Sequence, residues 1–276
     1  YLQLTKIRLS LLVVFSSSMG FLFAADGPIR WGALGWLLLG GLLVTGASNA
    51  INQLIEKEQD REMKRTRNRP LPAGRMSNIE ALLAGGLMAL SGIAALWAFV
   101  NTLSAMLAAL AFISYALLYT PMKRLSNIAV TVGAFPGALA YMLGWVAVKG
   151  FVGYEALLIF AIQFVWQYPH TWAIAWILDE DYRKVGFKML PAGGTGKPVA
   201  ALTLFYVALL IPISLLPVYF GMANWAAGAA IAIAGLYFFL QAVNLYRRLD
   251  NKAASRLMLA SIIYLPVVQL ALVLGK

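Results

Sequence analysis

The chain has 276 residues, of which 61% are hydrophobic and only 12% are charged, and its mean hydropathy is +0.77. Because a soluble domain carries about 25% charged residues, this composition excludes an ordinary water-soluble enzyme and is typical of a membrane protein with many spans. The net charge of +11 does not indicate a nucleic-acid partner, since the basic residues lie between apolar runs, and one histidine with no cysteine excludes disulfides and a multi-histidine or thiolate metal centre.

Nine apolar runs of membrane-spanning length predict an all-α fold, a polytopic membrane helical bundle with nine transmembrane helices. They lie at about 7–25, 31–55, 78–99, 102–119, 128–148, 152–178, 198–220, 222–246 and 256–274. The first run follows Lys6 and Arg8, as in a signal peptide, but no small-residue cleavage signal follows it, so we interpret it as a retained first helix. Because the chain starts at Tyr1 rather than at Met, we expect a few N-terminal residues to be missing.

The loops between these runs differ sharply in charge. Nineteen of the 22 Lys and Arg residues fall on one side of the bundle, and the other side has only Arg30, Lys149 and Lys276. By the positive-inside rule, the N-terminus is predicted to be cytoplasmic or on the matrix side, and the C-terminus outside. We expect a bacterial inner-membrane protein, with the mitochondrial inner membrane as the less favoured alternative.

Two acidic loops lie on the basic side, after the second and the sixth run, and together they hold seven of the 11 acidic residues. They also match in sequence, because at an offset of 119 positions Leu71-Pro72-Ala73-Gly74 falls on Leu190-Pro191-Ala192-Gly193 and Asp60 falls on Asp179. An offset of four helices predicts a parallel duplication. We therefore expect one domain, residues 1–276, with related four-helix halves at about 1–127 and 128–250 and an extra helix at 256–274.

The first acidic loop continues a polar stripe of the second helix. Asn49, Asn52, Gln53, Glu56 and Asp60 are spaced so that they share one helical face. Carboxylate and amide oxygens suit Mg²⁺, which typically takes one or two carboxylates together with phosphate oxygens and water. The alternative is a helix end entering a solvated loop, in which the charges only keep the loop soluble.

Basic residues surround both acidic loops and could gather around a diphosphate, to which guanidinium groups bind in a bidentate manner. The candidates for diphosphate binding are Arg65, Arg69, Lys123, Arg124 and Lys188. In the alternative interpretation these charges set the topology and contact lipid headgroups. Carboxylates beside arginines at the mouth of an apolar bundle suggest a lipid diphosphate whose tail lies among the helices.

The lone histidine, His170, lies on a second polar stripe with Gln163, Gln167 and Thr171. Pro169 is expected to kink this helix and to free a backbone carbonyl. An ionisable residue within a membrane usually faces the bundle interior or a cavity. A satisfied interhelical hydrogen bond and a direct functional role both stay open for His170 at this point.

These motifs resemble those of a known family. The segment Asn52-Gln53-x-x-Glu56-x-x-x-Asp60, followed by Met63-Lys64-Arg65-Thr66 and Arg69-Pro70-Leu71, resembles the first aspartate-rich motif of the UbiA-type intramembrane prenyltransferases. The haem O synthase branch of that superfamily has segments similar to Tyr119-Thr120-Pro121-Met122-Lys123-Arg124, Pro169-His170-Thr171-Trp172, Asp181-Tyr182 and Gly186-Phe187-Lys188-Met189-Leu190-Pro191. The second acidic motif reads Asp179-Glu180-Asp181 where the superfamily often has Asp-x-x-x-Asp.

The resemblance implies transfer of a farnesyl group from farnesyl diphosphate to a vinyl group of haem B, with hydration, to give haem O and diphosphate. It implies Mg²⁺ as cofactor, haem B as a substrate, membrane lipid as surroundings, and haem A synthase or a terminal oxidase assembly as a further partner. The implied metal ligands are Asn52, Glu56, Asp60, Asp179 and Asp181, which with His170 form the implied catalytic set. The implied prenyl and haem pocket contains Tyr115, Tyr119, Trp166, Trp172 and Trp176. His170 would hold the haem by its iron, hold it by a propionate, or position water.

Two other functions remain as alternatives. A UbiA-type enzyme with an aromatic or quinone-precursor acceptor would share the diphosphate site but not the Pro169-His170 segment. A transporter with duplicated halves would carry its charges near mid-membrane, whereas the carboxylates of this chain cluster at one edge of the bundle.

Overall fold

The computed structural model describes residues 1–276, and every regular element in it is helical. The helices are α1 (Ile7–Ala24), α2 (Trp31–Ile55), α3 (Lys57–Glu62), α4 (Asn78–Phe99), α5 (Thr102–Ile113), α6 (Thr120–Leu125), α7 (Ala129–Lys149), α8 (Tyr154–Ile177), α9 (Asp179–Lys184), α10 (Lys197–Tyr219), α11 (Trp225–Arg248) and α12 (Asn251–Leu274). A π-helical segment, Ser114–Tyr119, joins α5 to α6, so that Thr102–Leu125 forms one continuous span. The predicted all-α membrane bundle is confirmed.

Eight helical segments are long and apolar enough to cross a membrane. The remaining long helix, α8, has 24 residues and is therefore of spanning length, but it carries Gln163, Gln167 and His170 and is not among these eight segments. The structure thus has nine long segments where the sequence predicts nine, and eight of them meet the criterion for a span by composition. The polarity of α8 indicates that this helix faces protein rather than lipid.

Four of the long helices begin where a polar side chain accepts a hydrogen bond from the first turn. Ser77, Asn101, Asn224 and Asp250 cap α4, α5, α11 and α12 in this way, and Ser77 also forms a reciprocal pair with Glu80. Such caps satisfy backbone N–H groups that have no partner within the helix. The starts of these four helices are therefore encoded locally.

The helices are arranged around α1, α7 and α8. Helix α1 packs against α2, α7 and α12, and α7 packs against α5 and α8 as well. The two short helices α3 and α9 follow α2 and α8, at corresponding places in the two halves of the chain. This order is the one that a parallel duplication would produce, and the duplication itself stays a prediction.

Charged residues lie at both ends of the bundle. At one end Asp26 forms ion pairs with Lys149 and, at 3.5 Å, with Lys276, and Arg30 donates to the carbonyl oxygen of Val148. Lys6 lies at the other end. The first and last helices therefore present the two chain ends to opposite faces, as an odd number of spans requires.

Helices α1 and α7 approach each other closely because each has a glycine at the crossing. A methyl group added at Gly20 would collide with the carbonyl oxygen of Tyr141, and one added at Gly144 would lie 2.6 Å from the backbone nitrogen of Phe21 and closer still to the carbonyl oxygen of Ser17. Small residues at such a crossing allow helix backbones to pack directly in a membrane. This contact fixes the spacing between α1 and α7.

We expect Gly144→Ala to destabilise the folded protein by about 1–3 kcal/mol or more, because the methyl group meets backbone atoms that cannot rotate away. Gly86 in α4 is the matched control, since no atom lies within 4 Å of a methyl group added there. Thermal unfolding in detergent should show a lowered midpoint for Gly144→Ala and no loss for Gly86→Ala. Equal midpoints for the two variants would contradict this description of the α1–α7 contact.

Candidate active site

Two buried carboxylates lie where α2 gives way to α3. Asp60 is fully buried and Glu56 is 5% exposed. The helical hydrogen bonds continue across the junction, since the Glu56 N–H donates to Asn52 and the Asp60 N–H donates to Glu56. The predicted polar stripe therefore persists into α3, which places both carboxylates on the inner face of the bundle.

Each carboxylate forms an ion pair with a cation from another segment. Lys123 Nζ lies 2.7 Å from Glu56 Oε1, and Arg69 Nη1 lies 2.6 Å from Asp60 Oδ2. Taking a carboxylate out of water costs several kcal/mol, and these two ion pairs offset part of that cost. We call Lys6, Glu56, Asp60, Arg69 and Lys123 the charged cluster.

Arg69 reaches Asp60 because the loop after α3 folds back on itself. The Thr66 hydroxyl donates to the Asp60 carbonyl oxygen at 2.8 Å, and the Arg69 N–H donates to the Thr66 carbonyl oxygen. Thr66 and Leu71 are completely buried, which anchors the loop on both sides of the arginine. Thr66 and Leu71 thus hold the loop in a conformation that returns Arg69 to the end of the helix, beside Asp60.

An irregular helix places Lys123 beside Glu56. The hydroxyl of Thr120, the first residue of α6, donates at 2.9 Å to the carbonyl oxygen of Tyr115 in the preceding π-helical segment. Such π-helical turns change which side chains face inward and are frequent at functional sites. Lys123 is only 9% exposed, and its ammonium lies 4.5 Å from the centre of the Tyr119 ring.

Lys6 is the fifth member of the charged cluster, although the sequence indicates for it only a role in membrane orientation. Its ammonium donates to Asn52 Oδ1 at 3.0 Å, and Asn52 Nδ2 in turn donates to the Thr120 hydroxyl at 3.1 Å. The backbone of Lys6 has a φ of 47°, a left-handed conformation that turns the chain into α1. No local pattern marks this contact, because it joins residues 46 positions apart.

The charges of the cluster do not balance. Burial, together with the nearby positive charges of Arg69 and Lys123, lowers the pKa of Lys6 to about 7. Three basic side chains share the space with two carboxylates, and Lys6 is only partly protonated near neutral pH because burial and the other cations disfavour its charge. Such a site favours an additional anion, because negative charge placed there relieves the repulsion among the cations.

The donor set of the cluster also fits a hard divalent cation. Asp60 Oδ1 and Gln59 Oε1 are buried and have no hydrogen-bond partner. No group of three or more His, Cys, Asp or Glu side chains is assembled anywhere in the structure. One unpartnered carboxylate oxygen and one unpartnered amide oxygen, with the Glu56 carboxylate beside them, suit Mg²⁺ that completes its shell with water and phosphate. Asn52 could join only if the Lys6 ammonium released its oxygen.

The second acidic loop lies beside the charged cluster but does not join it. Asp179 is paired with Arg183 at 2.9 Å and Asp181 with Lys184 at 3.5 Å, both within α9. Asp179 lines a cavity of about 480 Å³, whereas Glu56 lines a neighbouring cavity of about 630 Å³. Both cavities share a wall that contains Leu125, Gly186 and Phe187. Metal binding by Asp179 and Asp181 stays a prediction.

The structure separates the basic residues proposed for diphosphate binding. Arg124 lines the same cavity as Glu56, while Lys188 lines the cavity of Asp179 and donates to the Leu125 carbonyl oxygen at 3.2 Å. Arg65 is exposed and contacts no member of the charged cluster. Arg69 and Lys123 are therefore the predicted residues that the structure brings to the two buried carboxylates.

An apolar chamber of about 200 Å³ extends into the bundle between α1, α2, α5, α7 and α8. Asn49 and Tyr115 line it, each within two helical turns of the charged cluster along its own segment, and Gln167 lines it from α8. Its other lining residues are mostly small or aliphatic. The chamber can therefore accept an apolar chain whose charged end stays at the cluster.

Of the five aromatic residues proposed for this pocket, only Tyr115 lines the chamber. Tyr119 contacts Lys123, and Trp166 stacks on His170 with ring centres 4.4 Å apart. Trp172 packs with Tyr168 and Tyr206, and Trp176 lies beside the cavity of Asp181. The tryptophans are thus distributed over three environments rather than gathered in one pocket.

His170 is held from the last helix. Its Nδ1 atom lies 2.7 Å from the hydroxyl oxygen of Ser261, which is completely buried in α12. One turn before the Trp166–His170 pair, Gln163 contacts Gln269 of α12, and Gln269 donates to Ser16 of α1. The interhelical hydrogen bond that the sequence left open for His170 is therefore present, and it ties α8 to α12.

The arrangement defines an intramembrane enzyme with a charged mouth and an apolar chamber, and solved structures share its fold. A structure described as giving insight into digeranylgeranylglyceryl phosphate synthase in membranes has a TM-score of 0.83 at 21% identity and covers 100% of this chain and 96% of its own. The apo structure of a UbiA homologue from Aeropyrum pernix has a TM-score of 0.75 at 20% identity, covering 95% and 97%. A UbiA homologue from Archaeoglobus fulgidus, bound to GPP and Mg²⁺, has a TM-score of 0.67 at 18% identity, covering 99% of each chain.

The chain belongs to the UbiA prenyltransferase family, whose model matches residues 13–263. Among curated relatives, the protoheme IX farnesyltransferase of Cytophaga hutchinsonii is 44% identical and covers 100% of this chain and 97% of its own. That of Flavobacterium johnsoniae is 43% identical, with 99% and 93% covered. The resemblance stated from the motifs is confirmed.

We expect Glu56→Gln and Asp60→Asn to weaken the Mg²⁺-dependent binding of inorganic diphosphate. Two unit charges about 4 Å apart, at an effective dielectric constant near 20, interact by about 4 kcal/mol. If half of this interaction energy contributes to binding, its loss lowers the affinity about thirtyfold. Titration calorimetry with and without Mg²⁺ measures this loss.

Glu58→Gln is the matched control, because Glu58 is exposed on the same short helix and pairs with Arg61. Without Mg²⁺ the two site variants should bind diphosphate at least as well as the unchanged protein, since they remove negative charge. A Mg²⁺-independent loss of binding would contradict the role assigned to the carboxylates.

Lys6→Met should weaken diphosphate binding about tenfold or more, the range of a hydrogen bond between charged groups. Arg8→Met is the control. Arg8 lies two residues after Lys6 and carries the same charge, but its side chain is exposed and makes no ion pair. Affinities for inorganic diphosphate that fall equally in both variants would show that only long-range charge matters.

Proposed function

We propose that this protein transfers a farnesyl group from farnesyl diphosphate to a vinyl group of haem B, with addition of water, giving haem O and diphosphate. The observation that carries the proposal is a buried cluster of carboxylates and cations at the mouth of an apolar intramembrane chamber. Curated relatives named protoheme IX farnesyltransferase, which are alike over nearly the full chain, support haem B as the acceptor.

The charged cluster binds the diphosphate end of the donor. Lys6, Arg69 and Lys123 supply positive charge, and Glu56 and Asp60 would hold Mg²⁺, with Asn52, Asp179 and Asp181 as further predicted ligands. When bound, Mg²⁺ supplies electrostatic stabilisation of the leaving diphosphate. As the bond between the allylic carbon and the diphosphate oxygen breaks, the three side-chain cations stabilise the negative charge that develops on the leaving group.

The chamber holds the isoprenoid chain and protects the allylic cation from water. Tyr115 lines it near the charged cluster, and its ring lies 5.2 Å from that of Tyr119, so aromatic faces are available near the site of ionisation. A volume of about 200 Å³ is smaller than the roughly 300 Å³ of ordinary ligand pockets.

The acceptor step forms one carbon–carbon bond and one carbon–oxygen bond. The vinyl π electrons form the new carbon–carbon bond to the farnesyl cation, which leaves a cation on the adjacent carbon of the haem substituent. Water adds to that carbon and loses a proton, and the product carries the farnesyl chain and a hydroxyl group. We assign His170 to the acceptor, since it is the one histidine of the chain and lies one turn beyond Gln167 of the chamber.

The direct test is incubation of the purified protein with haem B, farnesyl diphosphate and Mg²⁺, followed by mass analysis of the haem. We expect a haem heavier by one farnesyl group plus one hydroxyl group, and we expect none with Glu56→Gln. An aromatic hydroxybenzoate acceptor in parallel reactions tests the alternative. Prenylation of the aromatic compound with unchanged haem would contradict the proposed acceptor.

The protein is an integral membrane protein, and we propose that it lies in a bacterial inner membrane with the charged cluster on the cytoplasmic side. Nineteen of the 22 basic residues are on that side. A reporter fused after Lys276 should therefore report a periplasmic position, and the same reporter placed before Tyr1 a cytoplasmic one. A cytoplasmic C-terminus would mean that one of the nine long helices does not cross.

A further inference from the structure

Ser261 of α12 holds two neighbouring rings of α8 at once. Its hydroxyl oxygen lies 2.7 Å from His170 Nδ1, and its carbonyl oxygen accepts a hydrogen bond of 2.8 Å from the Trp166 indole nitrogen. The two rings are stacked nearly parallel, at 15°. A single buried residue outside both predicted four-helix halves therefore fixes the orientation of the imidazole.

The direction of the hydrogen bond between Ser261 and His170 follows from counting hydrogens. The Ser261 hydroxyl donates its only hydrogen to the Met258 carbonyl oxygen, at 2.6 Å. Its oxygen can then only accept from the ring, so Nδ1 must carry the proton. In the neutral imidazole this places the free lone pair on Nε2.

Nε2 is available to a ligand. It makes no hydrogen bond in the structure and is not among the buried polar atoms that lack a partner. No carboxylate forms an ion pair with the ring, and none of the eight ion pairs of the structure includes it. Nothing in the surroundings therefore holds His170 as an imidazolium, and the neutral ring presents a lone pair rather than an N–H group.

We propose that Ser261 is a positioning residue that fixes His170 in the Nδ1–H form, so that Nε2 binds the iron of the haem substrate. The inference rests on the proposed function for the identity of the acceptor and goes beyond it in choosing among the roles left open for His170. A propionate would need a donor at Nε2, whereas iron requires a lone pair. A hydrogen bond at the second nitrogen is the usual means by which proteins orient a metal-binding histidine.

In this proposal α12 orients the histidine that binds the iron. The same helix is tied to α1 through Ser16 and Gln269, and to α8 through Gln163 and Gln269. The imidazole is therefore oriented by a helix that is itself held to both α1 and α8 through the Gln269 amide.

The test is the absorption spectrum of ferric haem B added to the purified protein in detergent. We expect the unchanged protein to shift the haem spectrum to that of a histidine-bound iron, and His170→Ala to lose the shift and to recover it when imidazole is added. Ser261→Ala should weaken haem binding about 10- to 100-fold, as removal of such a hydrogen bond does elsewhere. Ser261→Thr, which keeps the hydroxyl group, should retain most of the affinity.

Ser214→Ala is the matched control. Ser214 is also completely buried and accepts a hydrogen bond from Tyr264 at 2.8 Å, but it does not touch His170. It should leave the haem spectrum unchanged. All variants are first checked for an unaltered unfolding midpoint and unaltered Mg²⁺-dependent diphosphate binding, which excludes a general loss of structure.

The outcomes separate this inference from the proposed function. If the unchanged protein binds haem and makes haem O, yet His170→Ala gives the same spectrum, the iron is not bound by His170 and the inference is overturned while the function stands. The inference is also overturned if Ser261→Ala binds haem as tightly as the unchanged protein. If the unchanged protein binds no haem at all, the proposed acceptor itself is wrong.

Discussion

The rest of the site depends on the burial of two carboxylates at the end of α2. Glu56 and Asp60 lie out of water, and a buried carboxylate without a partner would cost several kcal/mol. Their partners come from two distant segments, Arg69 from the loop after α3 and Lys123 from α6. The folded-back loop and the π-helical segment therefore follow from one electrostatic requirement, and removal of either cation would leave an unpaired charge inside the bundle.

The same requirement supports the proposed binding of an anion. Lys6 joins Arg69 and Lys123 around the two carboxylates, and burial together with these two cations lowers the pKa of Lys6 to about 7, so an added negative charge would favour the protonated form of Lys6. In the proposed function a diphosphate with Mg²⁺ would replace repulsion among the cations by attraction, and the apolar chamber lined by Tyr115 would accept its chain. Charge and shape thus favour one class of ligand, a lipid diphosphate with its head at the membrane edge.

The features that the sequence predicts well are those that depend on residues close together in the chain. The spans follow from runs of apolar residues, and the stripe from Asn52 to Asp60 follows from helical spacing that the structure keeps across the α2–α3 junction. Contacts over long separations were not predictable, because no periodicity connects Lys6 to Asn52 or His170 to Ser261. The choice between Arg65 and Arg69 depends on the Thr66 hydrogen bonds that turn the loop, and the separation of the tryptophans depends on which helices pack against α8.

The most direct measurement is a structure of the protein with Mg²⁺ and a non-hydrolysable farnesyl diphosphate analogue. The account predicts phosphate oxygens at about 2.7–3.2 Å from the nitrogens of Lys6, Arg69 and Lys123, with the chain in the chamber lined by Asn49 and Tyr115. A diphosphate bound instead in the neighbouring cavity, between Arg183 and Lys188, with the ion pairs of Glu56 and Asp60 unchanged, would contradict it.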